Sequence, residues 1–86
     1  EAEELADGKN SVLIGPDGDN EWRKVGKGVI LSFSRPEKGR VLVVDPKNDA
    51  ALLYDSAADS GEFFAPEGMF VFCAGAPGDV FEIEAK

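Results

Sequence analysis

Histidine is absent from this chain, and cysteine, tryptophan, tyrosine and methionine occur once each in its 86 residues. Without histidine, the side chain that most often moves protons at neutral pH is missing, so general acid–base chemistry would fall to carboxylates alone. One cysteine permits neither an intramolecular disulfide nor a thiolate metal cluster within one chain. Cys73, set between Phe72 and Ala74, reads as a small buried core residue rather than a reactive thiol. No apolar run comes near the roughly 20 residues of a membrane-spanning helix, and membrane insertion is not expected. Basic side chains are also scarce. Nine stand against seventeen acidic ones, and the net charge of −8 opposes sequence-independent attraction to phosphate backbones. Nucleic acid is therefore not expected as a partner.

Turn residues and short β-forming runs are what the sequence does have. Residues 69–73 form the longest apolar run, rich in Phe and Val, which pack well on a pleated surface and lose side-chain freedom in a helix. Apolar side chains on both of its faces predict a strand buried on both sides. Ala76-Pro77-Gly78-Asp79 then supplies a proline with fixed φ and a glycine free to take positive φ, which reverses the chain. Beyond it Phe81, Ile83 and Ala85 alternate with Glu82 and Glu84, the period of a strand with one solvated face. Residues 68–85 thus read as a closing hairpin, with Phe72 in the core.

Similar runs recur at 11–14, 21–25, 29–34, 40–44, 50–54 and 62–65, each bounded by Gly, Pro, Asp, Asn or Ser. Residues 40–44 are apolar on both faces and are the second candidate for full burial. Trp22 and Lys24 share one face of 21–25 while Arg23 and Val25 share the other, a composition suited to an edge strand. Residues 50–54 are compatible with a helical turn or a strand, and their brevity between turn signals favours the strand. The expected fold is all-β, a small antiparallel β-sandwich or small barrel of about seven strands. The expected organisation is a flexible acidic arm over residues 1–10 and a single sandwich domain over 11–86. The chain opens on Glu1-Ala2-Glu3-Glu4 without an initiator methionine or a signal-peptide pattern, as a processed or excised chain would.

The closing pattern, residues 67–74 followed by Pro77-Gly78-Asp79-Val80-Phe81-Glu82-Ile83, resembles the last two strands of bacterial and phage immunoglobulin-like modules. Residues 29–34 and 40–45 are similar to earlier strands of such a sandwich. The resemblance implies a core without an active site and a role in assembly or display, as a spacer, an adhesive unit or a capsid decoration. It favours a virion or the cell exterior over the cytoplasm.

Candidate sites are few. Glu82 and Glu84 lie on the outer face of a terminal strand, where a solvated face is the simple reading and a glycosidase pair is not expected. Gly26-Lys27-Gly28 has no following Gly-Lys-Ser/Thr and so does not make a phosphate loop. The loop containing Asp17, Asp19, Asn20 and Glu21 offers oxygen ligands to a hard cation, but it lacks the EF-hand register and reads first as a turn. A calcium- or small-ligand-binding domain built on that loop is the alternative function. Trp22, with Arg23 beside it, has the chemistry of an interface anchor, and Leu5 is the one apolar anchor of the arm.

Charge is distributed unevenly. Residues 23–47 hold seven bases and two acids, 48–85 hold eight acids and no base, and 1–22 hold seven acids and one base. Such blocks either create complementary patches that favour contacts between copies or neutralise one another across neighbouring strands. The function expected from the sequence is a non-enzymatic structural module, without cofactor, that binds a protein scaffold or copies of itself.

Overall fold

The computed structural model describes residues 2–18, 20–59 and 61–86. Its elements are strands: β1 (Glu3–Glu4), β2 (Gly8–Leu13), β3 (Glu21–Lys24), β4 (Val29–Ser34), β5 (Arg40–Asp45), β6 (Ala51–Asp55), β7 (Phe63–Ala65), β8 (Phe70–Ala74) and β9 (Val80–Ala85). Five strands in the order β1-β3-β8-β5-β6 make one sheet, and four in the order β2-β9-β4-β7 make the other. The protein is a small β-sandwich rather than a closed barrel. All pairings are antiparallel except the two-residue parallel pairing of β1 with β3. Eight of the strands correspond to runs legible in the sequence, including β6, where a strand and not a helical turn forms. The ninth, β1, has no pattern of its own.

The core lies between the sheets. Val41, Val43, Tyr54, Val71 and Cys73 point inward from the five-stranded sheet, and Val12, Leu31, Ala65, Phe81, Ile83 and Ala85 from the other. Full burial of side chains such as Phe81, Leu31 and Ile83 contributes on the order of 1.5–3 kcal/mol each. On β9 the expected alternation holds, with Phe81, Ile83 and Ala85 buried and Glu82 exposed.

The chain does not build this sandwich from hairpins. Every connection except β5–β6 passes from one sheet to the other. The hairpin expected over residues 68–85 is therefore not formed: β8 pairs with β3 and β5, whereas β9 pairs with β2 and β4. The predicted turn is present, closed by Asp79 N donating to Ala76 O at 3.0 Å, but other backbone groups of its residues bond to Ile14. Gly78 N donates to Ile14 O at 2.9 Å, and Ile14 N donates to Asp79 O at 2.9 Å. Within the turn, Asp79 Oδ2 accepts from Ala76 N at 2.9 Å. Five residues reach up to about 16 Å, enough to cross the roughly 10 Å between packed sheets. The turn chemistry dictates reversal of the chain, and the Ile14 backbone groups, with the burial of Phe81 and Ile83, hold β9 in the other sheet.

Two other expectations change. The strands read as apolar on both faces are buried on one: Val71 and Cys73 on β8, and Val41 and Val43 on β5, are inaccessible, while Phe70, Phe72, Leu42 and Val44 are half-buried on the outer side. Phe72 is thus not a core residue. The boundary expected at residue 10 is not a boundary either, since residues 3–4 and 8–10 belong to strands of the two sheets. Leu5 N donates to Lys24 O at 2.9 Å. The Asn10 side chain accepts from Ala6 N and donates to Ala6 O, both at 2.9 Å, and donates to Ile83 O at 3.1 Å. These bonds tie the turn between β1 and β2 to the sandwich.

Candidate interaction surface

Strand register decides which side chains the outer face of the five-stranded sheet presents. Trp22 on β3 and Leu42 on β5 both lie opposite Phe72 on β8, which sets Trp22, Phe72 and Leu42 in one cross-strand row. Lys24 and Val44 both lie opposite Phe70, and Val44 lies opposite Leu52, which extends a second row to the sheet edge. The Trp22 ring is 4.4 Å from the Phe72 ring and 6.0 Å, edge-on, from Phe70. Such aromatic cross-strand pairs stabilise the sheet and fix the rotamers of the face they form. Trp22 is 41% exposed and Leu52 54% exposed, so the stripe meets solvent without a covering element. Leu53, the extra residue where the β5–β6 register shifts between Val43 and Val44, is also exposed. The bulge adds local twist to this edge.

The outer face of the four-stranded sheet is different. Its centre consists of Lys9, Glu84 and Ser32 in one row and Ser11, Glu82 and Ser34 in the next. Apolar pairs stand only at its ends, Leu13 opposite Val80 and Ile30 opposite Phe64.

The rim of the apolar stripe carries charges of both signs. Arg40 Nε donates to Asp55 Oδ1 at 2.9 Å, and Nη2 pairs with Oδ2. This fork and the Ala57 N–H hold the Asp55 carboxyl well below its ordinary range, at about 2. At the other end of the sheet, Glu4, Lys24, Lys47 and Glu67 surround a shallow depression beside Phe70.

The residues singled out in the sequence are dispersed. Trp22 stands on the outer face, but Arg23, one position on, turns inward beside Val71 and is only 18% exposed in its side chain. Its guanidinium donates to Trp22 O at 2.8 Å and to Glu21 Oε1 at 3.3 Å. Leu5 is packed against the core. Asp19 lies outside the described residues. The Glu21 carboxylate is engaged by Arg23, and among the described residues no three His, Cys, Asp or Glu side chains are grouped to hold a metal ion. The residues that share this face with Trp22, namely Phe70, Phe72, Leu42 and Val44, were visible in the sequence as the second apolar face of two strands; that signal points equally to burial and to a sticky surface.

The charge blocks interleave. Lys27 bonds Asp7 at 3.1 Å, and Arg40 bonds Asp55, so the basic middle of the chain is joined to both acidic flanks. Lys86 bonds Glu62 at 3.1 Å, which lowers the Glu62 carboxyl and raises the Lys86 amine. No family model, curated protein or solved structure matches this chain.

Proposed function

We propose that this protein is a non-enzymatic protein-binding module that docks on a protein scaffold or on copies of itself within a larger assembly, such as a virion decoration unit or one domain of a surface protein. The observation that carries this reading is the uncovered row of Trp22, Phe72 and Leu42 on the outer face of the five-stranded sheet. Tryptophan and other aromatics are enriched at binding hot spots, and a rigid sheet presents them with little ordering cost on association. The opposite sheet, polar at its centre, serves as the solvated back of the module.

Site-resolved crosslinking in the cell that encodes the chain tests the reading. A photoreactive amino acid replacing Trp22 is expected to give discrete protein adducts, and the same group replacing Ser34, on the polar face, is not. Absence of adducts from the Trp22 position, or equal yields from both positions, removes the proposal.

A further inference from the structure

We infer that the occupant of the apolar face is a second copy of this chain, related by a two-fold axis that lays one five-stranded sheet on the other. The inference rests on that face being a docking surface and adds the identity of the partner. Its basis is charge. An isologous contact brings each patch against itself, so a patch of one sign repels its own copy. The rim here holds three cations, Lys24, Arg40 and Lys47, against three carboxylates, Glu4, Asp55 and Glu67. The face is thus nearly neutral in a chain whose net charge is −8, and the acidic excess lies elsewhere. A basic partner would be drawn to that excess instead, because opposite potentials guide such complexes. A copy of the same chain gains nothing there and finds in this face the area that repels it least.

Five strands at about 4.8 Å spacing, two to six residues long and rising about 3.4 Å per residue, give a plan area of roughly 350 Å². That is less than half the ~800 Å² per partner of a standard interface, so the dimer belongs to the weak, concentration-dependent class. Long-range repulsion between two acidic copies gives it a signature. Raising ionic strength from about 0.01 M to about 0.15 M shortens the screening length from about 30 to about 8 Å, and association strengthens. A complex with an oppositely charged partner weakens over the same range.

Analytical ultracentrifugation of the whole chain, at concentrations up to about 1 mM and at both ionic strengths, tests the inference. A monomer–dimer equilibrium whose dissociation constant falls several-fold with salt is expected. Trp22→Thr and Leu52→Thr, which leave the charge unchanged, are each expected to weaken it about tenfold or more. Phe64→Thr, at a residue 60% exposed on the other sheet, is expected to leave it unchanged. Circular dichroism melts establish that each variant is folded, and Leu52→Thr decides alone if Trp22→Thr is not. A monomer under all conditions, or a dimer weakened only by Phe64→Thr, overturns the inference. Adducts of a different protein at the Trp22 position, from a chain that stays monomeric, would leave the binding-module reading standing and remove the second copy. Absence of both dimer and adducts would remove both.

Discussion

The ring of Phe81 lies directly over the α-carbon of Gly39, where a β-carbon would meet its Cζ at 2.7 Å and its Cε2 at 2.9 Å. Phe81 is the largest fully buried side chain, so its ring has little freedom to retreat. Gly39→Ala is expected to cost about 1–3 kcal/mol through overpacking. Gly15→Ala, with open space around the added carbon, is expected to stay within about 0.5 kcal/mol of the parent. Urea unfolding midpoints of the two variants check the difference.

Asp49 and Ala50 occupy the left-handed region in the β5–β6 turn, at φ 57° and 55°. Alanine in this conformation carries a cost of about 1–2 kcal/mol that glycine avoids, offset in part by the greater freedom of glycine in the unfolded chain. Ala50→Gly should therefore stabilise the protein by up to about 1 kcal/mol. Ala50→Val should destabilise it, because a β-branched side chain tolerates positive φ least. Thermal melts with opposite shifts for the two variants are the expected result.

Phe72 and Phe81 look alike in the sequence but differ in the fold. Phe81→Ser leaves a cavity and a buried hydroxyl in the core, and a loss of about 3–5 kcal/mol is expected. Phe72→Ser removes only a half-buried ring against Trp22, and the variant should still fold and melt cooperatively. Loss of the native far-ultraviolet dichroism in Phe72→Ser would place that residue in the core after all.

The Arg40–Asp55 fork sets an acid limit that can be read residue by residue. The Asp55 carboxyl sits at about 2 in the folded protein against an ordinary 3.8, because Arg40 and the Ala57 N–H favour its charged form. A lowered value means that the stabilisation is present above the unfolded value of 3.8 and is lost as pH falls through about 2. Carboxyl chemical shifts in an acid titration should give Asp55 a midpoint well below the ordinary 3.8, and Arg40→Gln should raise it.

Burial pushes the Cys73 thiol up to about 12. The folded state therefore favours the protonated thiol. Its contribution to stability is full below the unfolded value near 9 and declines as pH rises above it. A thiol reagent at pH 8 should react no faster than the protein opens, and Cys73→Ala should abolish the alkaline decline attributable to this group.

The elements follow from local sequence. Alternation at Phe81, Ile83 and Ala85, the β-branched run of β5 and the Gly/Pro/Asp punctuation are local properties, because a strand's side-chain period and a turn's φ requirements act within a few residues. They sufficed for an all-β sandwich and for eight of nine strands. They did not suffice for β1, which exists only because Leu5 N finds Lys24 O and Asn10 holds Ala6. Nor did they distinguish a hairpin from a crossover at residues 75–79, since the same turn serves both and the decision lies in where Ile14 offers its backbone groups. The candidate surface was half legible. Trp22 stands out by residue type, but Phe70, Phe72, Leu42 and Val44 read as core, because apolar residues on both faces of a strand do not say whether a second layer covers them. That question is settled by the packing of the layers, which puts the four-stranded sheet on one side of β5 and β8 and leaves the other side to solvent.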